Sequence, residues 1–398
     1  MKQNIKEKLS QLREINWDFP DYRGISSIPA DINAIHWYPS PFVPQIPFIL
    51  IRTFTEKGDT VLDPFAGSGV ALVESARLKR NFIGVDINPY AVNIMKAKFY
   101  ALSLVDQEYF LKIKEDITSL LSTMNELSIE DYIMKSGINN EVFKWFEKKT
   151  LNELCLLHKY IKTEPDPRSE LIKRVLFSSI LPKCCSQRRH YTYVTDGCYP
   201  EKLVYINAIK LFLNQAELTA SAAERFRKEY KRLHGEKLSY VNCKIFRGDA
   251  RNLKFLDDCS VDMVITSPTY LGVNDCVRSM RLTWLFFPEE GIEDAMKNEI
   301  GARWKRNRKN AYEEYISDLN KAFSEISRVL KPTGFFCLVI GQGRGRVNKG
   351  HDIVKEILQI VTKRYGFKIK GIFSRRINFR RISIYRDANE SIVILNRA

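Results

Sequence analysis

The stretch TVLDPFAGSGVALVESARLKRNFIGVDINP, residues 60–89, decides the fold. Its first five residues predict a short buried strand, and the glycine turn after them leads into a segment with helical apolar spacing. A second apolar strand then ends in the acid Asp86. Because a strand, a loop, a helix and a strand in this order begin a doubly wound parallel sheet, we predict an α/β, Rossmann-like fold.

The alternation of strand and helix stops near residue 102 and resumes near residue 241. Between them, residues 103–240 carry mostly i, i+3, i+4 apolar spacing, including the long segment 202–233, and predict a large, mostly helical insertion. Further strands are expected at CKIFRGDA, VDMVITSP, FFCLVIG, KIKGIFSRRI and ESIVILNRA. We therefore divide the chain into residues 1–102, the insertion 103–240 and residues 241–398, with one sheet built from the first and third parts.

The charge of the chain indicates an anionic partner. Its 398 residues include 63 Lys and Arg against 47 Asp and Glu, a formal net charge of +16. A field of this sign attracts nucleic acid first and an anionic membrane surface second, although a merely basic globular protein fits the same numbers.

The cysteine pattern predicts neither a metal site nor disulfides. The eight cysteines include no CxxC pair and no Cys/His cluster with zinc spacing. We expect reduced thiols in a cytoplasmic protein. The first residues lack the apolar stretch of a signal peptide, and no apolar run reaches the ~18 residues that span a membrane.

Two glycines and an acid in the opening stretch predict a nucleoside site. Gly67 and Gly69 let the backbone approach a ligand closely, and the helix behind them begins with free N–H groups. Asp86 ends the next strand, where a carboxylate accepts hydrogen bonds from ribose hydroxyls. A GxG turn alone is often without a ligand, but the strand before it, the helix after it and the acid favour adenosine.

The same pattern favours a ligand without phosphate. It lacks the third glycine of a dinucleotide site and the Gly-Lys-Ser/Thr of a phosphate loop. S-adenosylmethionine fits better, because it joins adenosine to a tail with an ammonium and a carboxylate group. We expect Asp63, at the end of the first strand, to accept the tail ammonium.

The strand that begins at Val261 ends in an unusual turn, Thr266-Ser267-Pro268-Thr269-Tyr270. A turn that only reverses the chain more often uses Gly, Asn or Asp. The exocyclic amine of a nucleobase is a poor nucleophile because its lone pair is delocalised into the ring. Ser267 Oγ and the Pro268 carbonyl can accept its two N–H groups, and Tyr270 can stack on a base rotated out of the duplex.

DPFAGSG (63–69) and TSPTY (266–270) resemble motifs I and IV of the DNA amino-methyltransferases, which methylate cytosine N4 or adenine N6 with S-adenosylmethionine. GVDINP resembles motif II, FRGDARNL motif III, and HWYPSPF the cofactor-binding lead-in, so the resemblance covers residues 35–100 and 240–345. It implies a methyltransferase sheet. The cofactor-binding residues it implies are Asp63, Pro64, Phe65, Ala66, Gly67, Gly69, Asp86, Ile87, Asp249 and Ala250, and the catalytic residues are Thr266, Ser267, Pro268 and Tyr270.

The target base implied by the resemblance is cytosine. Family members that act on adenine usually carry Asp or Asn where this chain has Ser267, so N4 of cytosine is expected and N6 of adenine is the alternative. Thr269 replaces the usual second proline, which loosens the loop or adds a hydroxyl. An RNA base methyltransferase and a non-catalytic DNA-binding module are further alternatives. A covalent cytosine-C5 mechanism is disfavoured, because Cys184 and Cys185 lie in the insertion.

Basic clusters supply candidate phosphate contacts, with solvated charged surfaces as the alternative. These candidates are Arg188, Arg189, Arg303, Lys305, Arg344, Arg346, Arg375 and Arg376. The insertion is the candidate target-recognition region, and its residues 188–200 interleave basic and aromatic side chains. The expected partners are duplex DNA with one base flipped out and a separate cognate restriction endonuclease.

Overall fold

The computed structural model describes residues 5–19, 31–123, 128–187, 194–238, 242–343, 350–376 and 389–397. These residues form one seven-stranded sheet with the strand order β3-β2-β1-β4-β5-β7-β6. The strands are β1 Thr60–Asp63, β2 Asn81–Asp86, β3 Cys243–Arg247, β4 Val261–Thr266, β5 Leu330–Gly341, β6 Lys368–Arg376 and β7 Asn389–Asn396. The doubly wound α/β sheet predicted from the sequence is confirmed.

All strands except β7 run in the same direction. β1 pairs in parallel with β2 and β4, β2 with β3, and β4 with β5, whereas β7 is antiparallel to both β5 and β6. The chain order of the strands reverses between β1 and β4, and ligands of such sheets bind outside the carboxyl ends of the strands at this switch point. Because β7 is reversed, its first residues lie at that same edge.

The helices cover both faces of the sheet. The α-helices are α1 Ile5–Arg13, α2 Gln45–Phe54, α3 Val70–Arg77, α4 Pro89–Leu104, α5 Gln107–Thr123, α6 Ile129–Ser136, α7 Lys148–Lys162, α8 Pro167–Cys184, α9 Ala208–His234, α10 Arg281–Phe286, α11 Ile292–Asn298, α12 Ala311–Val329 and α13 Ile353–Lys363. None of these helices in the described ranges is long and apolar enough to cross a membrane.

Alternate residues of the strands enter two separate hydrophobic clusters. Val61 and Met263 point into one cluster with the helices α2 to α9, while Leu62 and Val264 point into the other with α12 and α13. Successive side chains of a strand point to opposite faces of the sheet. Because helices cover both faces here, the strand sequences are almost continuously apolar.

The predicted insertion is helical, as α5 to α9 show, and it packs closely on the rest of the chain. α9 lies against α4 and against the 3₁₀ turn Ile32–Ile35. The Ser178 hydroxyl of α8 bonds His36 Nε2 at 2.9 Å and Thr283 Oγ1 at 2.7 Å. These buried hydrogen bonds join the segment before β1, the insertion and the segment after β4.

The long segment 202–233 is helical only from Ala208. Asn207 caps α9, and its side-chain oxygen accepts a hydrogen bond from the Lys210 N–H at 2.7 Å. The preceding residues 201–207 form neither helix nor strand, and the large apolar side chains of Leu203, Val204 and Tyr205 are exposed there. The helix predicted from apolar spacing alone therefore began about six residues too early, because that spacing does not register the asparagine cap.

Candidate active site

The glycine-turn strand and the TSPTY strand end side by side. β1 and β4 are neighbours, with Leu62 aligned to Val264. The Thr266 hydroxyl donates to Asp63 Oδ1 at 2.7 Å, and both side chains are almost completely buried. Two motifs that are 203 residues apart in the chain are thus joined by one side-chain hydrogen bond.

The glycine turn requires residues without a side chain. Gly67 and Gly69 have positive φ values of 52° and 77°. A Cβ at Gly69 would lie 2.6 Å from Met95 Cγ, and a Cβ at Gly67 would lie 3.3 Å from a ring carbon of Tyr38. The first glycine therefore lets Tyr38 approach the turn, and the second lets α3 begin close to α4.

Asp86 is held in place by the glycine turn and by the residue that begins the next helix. Its Oδ2 accepts the Gly67 N–H and its Oδ1 accepts the Asn88 N–H, both at 2.8 Å. A backbone hydrogen bond also joins the turn to the end of β2, since the Ala66 N–H donates to the Val85 carbonyl at 3.0 Å. A carboxylate has about four lone-pair positions, so two acceptor positions of Asp86 remain for a ligand.

The other predicted cofactor-binding residues surround the end of β2. Pro64 and Phe65 connect Asp63 to the turn, and the Phe65 N–H donates to Asp63 Oδ1 at 3.1 Å. Ile87 follows Asp86 and is partly exposed. The Gly248 N–H donates to the Asp86 carbonyl at 3.1 Å, which brings the next two residues, Asp249 and Ala250, alongside; Ala250 is buried and Asp249 pairs with Arg251 Nη2 at 2.6 Å.

The two acids at the strand ends suit a cationic ligand with hydroxyl groups. Burial raises the pKa of Asp63 to about 7 and the pKa of Asp86 to about 6. In the described ranges, no Lys, Arg or His side chain pairs with either carboxylate. An ammonium group beside Asp63 and ribose hydroxyls beside Asp86 would satisfy both, so this donor set fits S-adenosylmethionine.

Four residues beyond the predicted cofactor-binding set lie on this side of the candidate site. Asn88 Nδ2 donates to Tyr38 Oη at 3.2 Å and to the Cys276 carbonyl at 3.3 Å. Glu299 accepts the Cys276 N–H at 2.6 Å, and burial raises the pKa of Glu299 to about 8. Tyr38 lies in the lead-in HWYPSPF and Asn88 in GVDINP, whereas Cys276 and Glu299 reach the site only through the fold.

The TSPTY turn is tied to the last strand of the sheet. Ser267 Oγ donates to Tyr270 Oη at 3.4 Å, and Tyr270 Oη donates to Glu390 Oε1 at 2.9 Å. The Tyr270 ring lies against Gly341, where a Cβ would come within 3.0 Å of it. Burial, reinforced by the negative charge of Glu390, raises the pKa of Tyr270 well above its usual value, so the phenol stays protonated and acts as a donor.

Thr269, the departure from the usual second proline, is braced by the protein around it. Its carbonyl accepts the Tyr315 hydroxyl at 3.1 Å, and Gly301 packs so closely that a Cβ there would lie 3.2 Å from the same oxygen. The loop is therefore fixed by long-range contacts where a proline would have stiffened it locally.

Comparison with known proteins identifies the arrangement. The sequence profile of the DNA methylase family matches residues 2–97 and 261–396, more than half of the chain. The chain belongs to the DNA methylase family. It is an S-adenosylmethionine-dependent DNA methyltransferase of the N4/N6 group, and the interval between the two matched ranges contains the helical insertion and β3.

Individual relatives agree with the family assignment. The methyltransferase is similar to the type II methyltransferase M.MjaII of Methanocaldococcus jannaschii, at 21% identity over 87% of this chain and 77% of the relative. It is also similar to M.BsoBI of Geobacillus stearothermophilus, at 23% identity over 74% of this chain and 61% of the relative. Among solved structures, the rRNA methyltransferase aviRa of Streptomyces viridochromogenes aligns over 96% of this chain and 97% of its own, with a TM-score of 0.39 and 11% identity.

Three of the predicted phosphate-binding side chains of the methyltransferase are engaged inside the protein. Arg303 pairs with Asp275 and Asp196 and is only 12% exposed. Lys305 Nζ donates to the Glu299 carbonyl at 2.7 Å, and Arg375 pairs with Glu390 at 2.5 Å. Arg376 is exposed. The predicted contacts Arg188, Arg189, Arg344 and Arg346 lie outside the described residues.

A different group of cations surrounds Trp304, beside the TSPTY turn. The guanidinium carbons of Arg278 and Arg308 lie 5.2 and 4.6 Å from the centre of the indole ring, and Lys305 Nζ lies 5.7 Å from it. The Trp304 N–H donates to Asp275 Oδ1 at 2.8 Å, which attaches this cluster to the loop that continues from Tyr270. We call Arg278, Trp304 and Arg308 the Trp304 cluster; Lys305 lies next to it with its ammonium bonded to the Glu299 carbonyl.

Proposed function

We propose that this methyltransferase forms N4-methylcytosine in duplex DNA, as the modification enzyme of a restriction–modification pair. The observation that carries the proposal is the Thr266–Asp63 hydrogen bond. Because it fixes Thr266 at the end of β1, it also holds the next residue, Ser267, close to the proposed cofactor-binding acids. A serine at this position supplies a hydroxyl as acceptor, whereas family members that act on adenine usually carry the carboxylate of Asp or the amide of Asn. N6 of adenine is the competing outcome.

We propose that the acids of β1 and β2 bind the cofactor. Asp63 would accept the tail ammonium, and Asp86 would accept the ribose hydroxyls through the lone pairs that Gly67 and Asn88 leave free. When bound, S-adenosylmethionine supplies a methyl group on a sulfonium, which is an activated leaving group. The protein then has to position and desolvate the amine that attacks it.

We propose that the TSPTY turn binds the base after it has left the duplex. Ser267 Oγ donates its own hydrogen toward Tyr270, so its lone pairs are directed to other donors such as the base amine. The Pro268 carbonyl is the second acceptor. Drawing both N–H bonds into hydrogen bonds returns electron density to the nitrogen, and the Tyr270 ring stacks on the base.

The DNA backbone is proposed to lie across the Trp304 cluster. Arg278 and Arg308 lie beside the indole of Trp304, whose backbone N–H donates to Asp275 in the loop after TSPTY. The Arg308 side chain is 43% exposed and pairs with Glu314 at 3.3 Å on the surface. Guanidinium groups in this position can contact phosphates next to the flipped base. Arg303 and Lys305, the residues expected from the sequence, would then shape the loop from inside.

Target recognition is proposed to involve the part of the insertion that connects α8 to α9. Its segment 199–205 exposes Tyr199, Leu203, Val204 and Tyr205, and Lys144 and Lys149 lie over the two tyrosine rings at 4.9 and 4.5 Å. Basic and aromatic side chains that alternate on an exposed surface are suited to phosphates and base edges. This segment adjoins the stretch 188–193, which lies outside the described residues.

A separate cognate endonuclease and a cytoplasmic location complete the proposal. The relatives are type II methyltransferases by name, which supports a partner nuclease. All eight cysteines are free thiols, as a reducing cytoplasm would keep them.

The experiment that tests the proposal is methylation of a host genome that expresses the chain, followed by nucleoside mass spectrometry and methylation-sensitive sequencing. We expect N4-methylcytosine at one short motif, and none in a host that expresses the Ser267→Ala variant. N6-methyladenine would correct the base while leaving the active site in place. No methylated base, from a protein that binds S-adenosylmethionine in calorimetry, would overturn the proposal.

A further inference from the structure

We propose that Glu390 is a positioning residue for the methyl transfer, acting through the phenol of Tyr270 and itself held by Arg375. The inference rests on the proposed function, in which the Tyr270 ring stacks on the target base. It adds a residue from the last strand of the sheet, 120 positions away from the TSPTY turn.

The sheet register brings the three groups into one row. Gly341 at the end of β5 aligns with Glu390 at the start of β7, and Glu390 aligns with Arg375 near the end of β6. Tyr270 follows the neighbouring strand β4 and lays its ring over Gly341. The absent side chain at Gly341 therefore leaves room for the ring, and the next strand across supplies the carboxylate that its hydroxyl meets.

The hydrogen bonds of this row converge on the Glu390 carboxylate from both sides. Ser267 Oγ donates to Tyr270 Oη, Tyr270 Oη donates to Glu390 Oε1, and Arg375 Nη1 donates to Glu390 Oε2. Both oxygens of the carboxylate are thus used, and its charge is balanced by a guanidinium that is 11% exposed. A partly buried carboxylate with a partner on each oxygen is a rigid anchor, whereas an unpaired one would be costly.

The anchor matters because a tyrosine ring can turn about two torsions. The TSPTY backbone fixes only its Cβ, so without a bond at the hydroxyl the ring can swing away from Gly341. Stacking requires the ring plane to be parallel to the base, and a partly buried phenol seeks a partner in any case. Glu390 restricts the ring to the one orientation in which the hydroxyl points along the sheet edge.

A double-mutant cycle tests this role. The variants are Glu390→Ala, Glu390→Gln, Tyr270→Phe and the combination of Tyr270→Phe with Glu390→Ala. Each is assayed on duplex DNA that contains the recognition motif in unmethylated form. Tyr270→Phe keeps the ring and removes the bond. We expect Glu390→Ala to lower kcat about tenfold with an unchanged Kd for S-adenosylmethionine, and Glu390→Gln to recover most of the rate because its carbonyl still accepts the phenol.

The decisive comparison is the effect of Glu390→Ala in the two backgrounds. If Glu390 acts through the phenol, the substitution has little further effect once Tyr270 is phenylalanine. An equal loss of kcat in both backgrounds would overturn the inference. The emission of 2-aminopurine at the target position gives a second reading, since a ring that no longer stacks quenches it less, and unchanged emission in Glu390→Ala contradicts the role.

Controls separate failure of this inference from failure of the proposed function. Asn389→Ala changes the adjacent, exposed residue of β7 and should behave as the parent protein. If Glu390→Ala does not fold, Glu390→Gln and Tyr270→Phe still carry the test, because a kcat equal to that of the parent in both overturns the inference. Full turnover in Tyr270→Ala would instead contradict the proposed stacking role of the Tyr270 ring.

Discussion

The two sides of the carboxyl edge of the sheet are built differently. On the β1–β2 side, the acids are held mainly by backbone N–H groups from nearby in the chain: Asp86 by Gly67 and Asn88, and Asp63 by Phe65, with the Thr266 hydroxyl as a distant donor to Asp63. On the β4–β7 side, the TSPTY turn is held by distant side chains, with Tyr315 bonded to the Thr269 carbonyl and Glu390 bonded to Tyr270.

This difference teaches which side a short motif can specify. Most of the contacts that hold Asp63 and Asp86 lie within residues 63–88, so on the proposed cofactor side the motif specifies most of the local geometry, and Thr266 adds one contact from β4. The base side depends on packing that is complete only when the whole sheet has formed. A substitution far from TSPTY can therefore disturb the base side, whereas the cofactor side should respond mainly to changes within its own motif.

The largest effect is expected on the base side. Ser267→Ala removes an acceptor for the base amine, and the loss of one preorganised polar group at a reacting centre typically lowers kcat by about 10²- to 10³-fold. The Kd for S-adenosylmethionine should stay unchanged in calorimetry. Ser260→Ala, at the opposite end of the same strand, is the matched control; a fully active Ser267→Ala would remove this residue from the site.

A somewhat smaller effect is expected on the cofactor side. In the proposed site, Asp86→Ala would remove two charge-assisted hydrogen bonds to the ribose, at roughly 1.5 kcal/mol each, so the Kd for S-adenosylmethionine should rise about 100-fold. Calorimetry measures it, with Asp258→Ala, an exposed acid at the other edge, as the control. An unchanged affinity would contradict the ribose assignment.

The pH dependence of cofactor binding separates the two acids. Burial raises the pKa of Asp63 to about 7, and an ammonium binds only the ionised carboxylate. Affinity should therefore weaken as pH falls through 7, by about tenfold between pH 8 and pH 6. Asp86, with its pKa raised to about 6, stays mostly ionised over most of this range.

The control for this titration is Asp63→Asn, which has no proton to gain and should bind weakly at every pH. The titration of the ligand itself is common to both proteins and cancels in the comparison. Equal pH slopes for the parent and Asp63→Asn would remove Asp63 from the ammonium site.

The smallest effect concerns the Trp304 cluster. Arg278→Ala and Arg308→Ala should each reduce the slope of log Kd against log salt by about 1, because each removes one phosphate contact. Fluorescence anisotropy with a duplex at several salt concentrations measures it. Lys331→Ala, a cation at the opposite edge of the sheet, should leave the slope unchanged, and equal slopes in all three variants would move the DNA elsewhere.

The strands and the glycine turn between β1 and β2 were predictable because their signals are local. The apolar runs, the glycines and the terminal acids specify β1, β2 and the turn between them without help from the rest of the chain. Glu299 and Glu390 were not predictable, since each lies in an ordinary polar context and acquires its role from residues brought beside it by the fold.

The basic residues show the same limit from the other direction. Arg303 and Arg375 stand in clusters that suggest phosphate contacts, but each pairs with an acid that is distant in the chain. Composition reports how many cations a protein has, and only the fold shows which of them are already neutralised. The prediction for the four arginines outside the described residues stays a prediction.

The reversed strand β7 has a consequence for how the molecule is made. It follows β6 in the chain but lies between β5 and β6 in the sheet. A nascent polypeptide that has reached residue 376 therefore presents β6 with no neighbour to pair with, and β5 with one open side. The sheet closes only when residues 389–396 insert between them, so assembly of this half waits for a late, non-local event during synthesis, and a ribosome-stalled chain lacking these residues should expose both strand edges to chaperones or aggregation.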